Sequence, residues 1–188
     1  MLFRGRQPAS VVWRRFRSGV DEFTFVEHAT HCEARLAPSA ERVVDLFHVF
    51  AEHLGPAVDV SLHDVRSGHA WLGRDLALPD VREAIARLKV PLAAYGGVEL
   101  AVYTDEDQLT LTPDLALYIF ARSDRWLYLL QGKGLVETTV PPPEPPPLRP
   151  EQFGEAADLP GALGAVADRL GLAVVSPGLA TPAGARQP

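Results

Sequence analysis

Seven prolines in ten residues, PPPEPPPLRP at 141–150, place the tightest limit on what this chain can fold into. Proline has no backbone donor and holds φ at about −65°, so such a run joins neither a helix interior nor a central strand. It reads as an extended polyproline II spacer, or as a ligand for a proline-binding groove, and in either case it divides the chain. The stretch after it, 151–188, contains one short helical pattern, Leu159 to Leu170, and an apolar GLAVV, too little for a core of its own. The core must therefore come from the residues before the run. The expected organisation is a basic N-terminal arm (1–19), one α+β domain (20–140), the Pro-rich linker (141–150), and a short C-terminal segment (151–188) that is either docked or disordered.

Within 20–140 the apolar residues change period. VDEFTFVEHATHCEARL at 20–36 alternates roughly every two residues and predicts one long half-buried strand. Pro38 and Ser39 then stop the strand and cap a helix with Val43, Leu46, Phe47, Phe50 and Leu54 on one side, ended by Gly55 and Pro56. AVDVSLHDV follows as a strand whose wet face carries Asp59, Ser61 and His63. Residues 66–79 read as a loop, after which Asp80 caps a helix with Val81, Ala84, Ile85 and Leu88 buried, stopped or kinked near Lys89 by Pro91. From Gly97 the period is two again: VELAVYT, QLTLT, LALYIFA and RWLYLLQ, joined by turns short enough for hairpins. RWLYLLQ is read as a fourth strand on its aromatic content, with a short helix capped by Ser123 as the alternative. The fold expected is α+β: an antiparallel or mixed sheet, two main helices packed on one face, in the order β-α-β-α followed by a meander.

Charge narrows the partners. The net charge is −6, yet Arg4, Arg6, Arg14, Arg15 and Arg17 give the arm at 1–19 a charge of +5 with no acid, leaving −11 for the rest. An acidic body repels nucleic acid and anionic membrane, so nucleic acid is expected only through the arm, and the body favours a cationic partner. No apolar run is long enough to span a bilayer and no signal-type segment opens the chain, which predicts a cytoplasmic protein with no membrane partner. The single cysteine, Cys32, rules out an intramolecular disulfide framework.

Catalytic signatures are weak. All six histidines lie between positions 28 and 69, and His28, His31 and Cys32 are close in sequence. On one continuous strand, however, His28 and Cys32 share a face that His31 does not. His28 and Cys32 could be joined by His63 only if the first two strands are neighbours, with Asp59 or Asp64 orienting them. Cys32 as a nucleophile would need a cationic or basic neighbour that the sequence does not identify. No nucleophile elbow, phosphate loop or EF-hand spacing occurs, and Asp105, Glu106 and Asp107 read as a solvated hairpin tip.

The aromatic residues Trp71, Tyr95, Tyr103, Tyr118, Trp126 and Tyr128 supply core packing and, in part, contact surface. Arg122, Asp124 and Arg125 beside Trp126 form the most interface-like group. The sequence thus points to a non-catalytic protein-interaction or regulatory module of the immunity, antitoxin or adaptor kind, binding through Trp71, Arg122, Asp124, Arg125 and Trp126, with no cofactor and no metal. Its rivals are a small enzyme or metal-binding protein at His28, Cys32 and His63, and a small-molecule sensor with a pocket lined by Trp71, Tyr95 and Trp126. Oligomeric state and strand order are left open.

Overall fold

The computed structural model describes residues 21–140 and 149–175; the basic arm and most of the proline run lie outside them. In chain order the elements are β1 (Glu22–Glu27), β2 (Cys32–Leu36), α1 (Ala40–Ala51), β3 (Ala57–Asp64), β4 (His69–Ala77), α2 (Leu78–Tyr95), β5 (Val98–Tyr103), β6 (Asp107–Leu111), β7 (Leu117–Ala121), α3 (Arg125–Gly132), β8 (Val136–Glu137), a 3-10 turn (Pro150–Gln152), α4 (Leu159–Leu170) and β9 (Ala173–Val175). The strands form one sheet in the order β8-β1-β2-β7-β6-β5-β3-β4-β9. The sheet is mixed because β8 runs parallel to β1, while the other neighbours are antiparallel. The class is α+β, as the sequence indicates.

Registers explain the core. Phe23, Leu36, Leu117, Leu111, Leu100, Leu62 and Trp71 stand side by side across β1, β2, β7, β6, β5, β3 and β4. This row is apolar throughout, and all of it but the half-buried Trp71 is buried against Val43, Phe47 and Phe50 of α1 and Val81, Ile85, Leu88 and Leu92 of α2. Each large side chain so buried contributes about 1.5–3 kcal/mol. Ser39 caps α1 as its position suggests, its Oγ accepting from the Arg42 amide at 3.4 Å.

Four local readings are corrected. Residues 22–36 are a hairpin rather than part of one strand, closed by the His28 amide donating to the His31 carbonyl at 2.8 Å. Phe23 and Phe25 face the core at odd positions and Ala34 and Leu36 at even ones, a phase change that one continuous strand cannot contain. The supposed loop at 66–79 holds β4, paired with β3 through an irregularity between Val58 and Val60 and with Asp75 at φ 52°. Helix α2 begins at Leu78, with Ala77 rather than Asp80 at the cap position, and runs through Pro91 to Tyr95, where Leu92 and Ala93 are buried. RWLYLLQ is α3, not a strand: Trp126 and Leu130, four residues apart, share its buried side.

The C-terminal segment adds to the same core. Leu159, Leu163 and Val166 of α4 are buried with the residues of α2, and β9 pairs with the outer edge of β4. Arg66 ties the approach to this segment down. Its guanidinium donates to the carbonyls of Tyr95 and Gly96, both at 2.7 Å, and of Gly154 at 3.1 Å, and lies 4.9 Å from the Phe153 ring centroid. Gly97, at φ +73°, makes room for it, since a Cβ there would sit 2.1 Å from Arg66 Nη1.

Candidate interaction face

Alternation along the strands gives the sheet a second face, whose residues do not belong to the core cluster. One row across it is Thr24, Arg35, Tyr118, Thr110, Ala101, Ser61 and Leu72; the next is Val26, Glu33, Phe120, Gln108, Tyr103 and Asp59. Thr24, Arg35 and Ala101 are buried, Phe120, Tyr103 and Leu72 are half-buried, and Val26 is 47% exposed.

The end of this face near the β1–β2 hairpin is ordered by stacked rings. His28 and His31 stack with centroids 4.6 Å apart and planes at 21°. His31 lies 6.3 Å from Phe120, tilted by 45°. Phe120 and Tyr118 are 6.2 Å apart at 12°, and the Arg35 guanidinium stands 5.1 Å from the Tyr118 centroid. Five side chains from β2, β7 and the hairpin thus form a continuous ladder. Contacts of this kind are worth about 0.5–1.5 kcal/mol each. Their larger effect is to restrict the half-buried rings of Tyr118 and Phe120 before any partner arrives, which lowers the entropy cost of binding, while His28 at the end of the ladder is exposed.

One ionisable group on each face is shifted upward. Tyr103 has its phenol pushed up by burial and by Asp59, against an opposing pull from Arg74. Cys32 starts β2 on the core-facing side, opposite Ala121. Its thiol is pushed up by loss of solvent first and then by the carboxylates of Glu27 and Asp124. A thiol so placed stays protonated at neutral pH and is a poor nucleophile.

The residues singled out in the sequence separate. Strands β7, β6 and β5 stand between β2 and β3, which puts His63 about 19 Å from the strand of Cys32 at about 4.8 Å per strand. His28, Cys32 and His63 therefore do not converge; His63 lies between Ala70 and Glu99. Trp126 is fully buried, its Nε1 donating to Asp107 Oδ1 at 2.9 Å, with Phe50 edge-on at 5.9 Å. Arg125 pairs with the other oxygen of Asp107 and donates to the His53 carbonyl at 3.1 Å. Asp107 is buried, unlike the solvated tip expected of it, whereas Asp105, Glu106, Arg122 and Asp124 are exposed. Trp71 is half-buried beside His69, with rings 5.9 Å apart. A cavity of about 270 Å³ is lined by Leu76, Ala77, Asp80, Arg169 and Leu170, with none of Trp71, Tyr95 or Trp126 among them.

The chain matches no family model, no curated protein and no solved structure. None of the helices among the described residues is long and apolar enough to cross a membrane. The ring ladder is the feature that the sequence reading missed. Tyr118 and Phe120 at alternate positions of LYIFA, opposite Arg35 and Glu33 on β2, signal it only once the β2–β7 register is known.

Proposed function

We propose that this protein is a non-catalytic protein-interaction module, cytoplasmic and of the immunity, antitoxin or adaptor kind, whose docking surface is the ladder end of the second sheet face. The observation that carries this reading is the run of rings His28, His31, Phe120 and Tyr118, backed by the buried Arg35, on a face that contributes nothing to the core cluster. Preset flat rings beside an exposed Val26 have the character of interface anchors. The partner that fits is a protein offering a basic segment with apolar or aromatic side chains. Outside the arm at 1–19 the chain carries a net charge of −11, and Glu33 and Asp59 stand in the same row as Phe120.

The test is capture from host lysate on the full chain and on Phe120→Ala in parallel, followed by titration of the purified partner. A partner held by the unaltered chain and weakened at least tenfold by Phe120→Ala, about 1.4 kcal/mol, supports the reading. Repeated absence of any partner, or equal binding to both chains, overturns it.

A further inference from the structure

The β1–β2 hairpin brings together three groups that the sequence spreads over six positions. His28 and His31 flank the turn, and Glu33 lies just inside β2 with its Oε2 at 3.9 Å from His28 Nε2. The coordinating atoms of all three lie within 4.8 Å of one another. A tetrahedral ion with bonds of about 2.0–2.1 Å needs its ligands roughly 3.4 Å apart, so closing on one ion requires the stacked His28 ring to turn until its nitrogen and that of His31 converge. His28 is exposed and has room to make that rotation.

We infer that His28, His31 and Glu33 form a binding site for a late first-row divalent cation, with Zn²⁺ as the fitting probe. Two imidazoles and a carboxylate suit zinc, copper or nickel; magnesium and calcium prefer oxygen donors alone. The surroundings have the features of a ligand set. Thr30 Oγ1 lies 3.2 Å from His31 Nδ1, and in the tautomer whose Nδ1–H donates to that hydroxyl Nε2 is the bare nitrogen that can coordinate. The turn is closed by its own backbone bond, and Glu33 is held by pairing on both sides, with Val26 and with Phe120. Three protein ligands leave a position for water or for a partner's side chain, as the exposure of the hairpin allows. Cys32, the strongest zinc ligand by chemistry, follows His31 directly but belongs to the opposite side of β2 from Glu33.

The site shares His28 and His31 with the proposed docking surface, and titrating the metal into the purified chain with no partner present keeps the two readings distinct. Isothermal titration of Zn²⁺ into the tag-free full chain should show one strong site. His28→Ala and His31→Ala should each weaken it at least tenfold, and the double variant should abolish it. Cys32→Ser and His69→Ala should leave it unchanged, and Mg²⁺ and Ca²⁺ should give no comparable signal. Far-UV circular dichroism checks that the histidine variants keep their fold, as expected for side chains flanking an exposed turn. Absence of zinc binding, its survival in the double variant, or a tenfold loss on Cys32→Ser would overturn the assignment.

Discussion

Replacing Asp107 by alanine should unfold this protein far more readily than any other change at the β5–β6 turn. Asp107 is 5% exposed and its two oxygens take different donors, Trp126 Nε1 at 2.9 Å and the Arg125 guanidinium. Without the carboxylate the indole N–H of a fully buried tryptophan has no acceptor, which costs about 1–3 kcal/mol. The Arg125 side chain is 48% exposed, so losing its ion pair adds less than about 1 kcal/mol. The total is about 2–3 kcal/mol, or a fall in Tm of about 4–12 °C for a chain of this size. Asp107→Asn keeps an acceptor for the indole and should cost about half as much. Asp105→Ala, on the exposed tip of the same turn, should stay within about 0.5 kcal/mol. Urea unfolding at pH 7 reads all three. A double-mutant cycle of Asp107→Ala with Trp126→Phe should give a coupling of about 1–2 kcal/mol, because the second substitution removes the orphaned donor. A loss below about 1 kcal/mol for Asp107→Ala, or an additive cycle, would refute the view that this carboxylate anchors α3.

Two further outcomes follow from half-buried groups. His48 on α1 has its pKa lowered, by loss of solvent first and by Arg82 and Lys89 next, against a smaller upward pull from Asp45 and Glu52. The unfolded chain therefore binds the proton more readily, and stability that is full above pH about 6.5 falls as pH drops toward the folded value. In His48→Gln, urea midpoints at pH 7.5 and 5.5 should differ less than in the unaltered chain, and an equal or larger difference would contradict this cause. Arg66→Ala removes three donations to carbonyls and should cost about 2 kcal/mol. Hydrogen exchange should then rise around residues 153–159 before it rises in β5 and β6, and uniform acceleration would show that Arg66 does not hold the C-terminal segment.

What the sequence disclosed follows from the range of the signal. α1 was legible because its cap and its apolar stripe are local, although it ends at Ala51, ahead of the Gly55-Pro56 stop that the sequence suggests. The β5–β6–β7 meander was legible because consecutive strands pair through short turns, so period and neighbour coincide. β4 was hidden by polar and turn-forming residues, Gly73, Arg74 and Asp75, which belong to an irregularity within a strand rather than to a loop. For α3, aromatic content favoured a strand, and the burial of Trp126 and Leu130 one helical turn apart overrode that local preference.

The candidate sites show the same division more sharply. Arg125 next to Trp126 has the composition of an interface anchor, and a buried indole with a charged neighbour has the same composition. Asp107, far away in sequence, decides between them by taking both donors. Conversely, His28, His31 and Glu33 are ill-matched on a single strand, where His28 would face away from the other two. A turn between His28 and His31 cancels that mismatch, and its trace in the sequence is the shift of core positions from odd in β1 to even in β2. The proposed binding of zinc to this hairpin and the anchoring of α3 by Asp107 thus depend on one kind of information, which strands and turns meet in space, and residue types alone do not carry it. A phase change inside an apparently continuous strand marks a turn, and the polar residues that flank it are then neighbours in space.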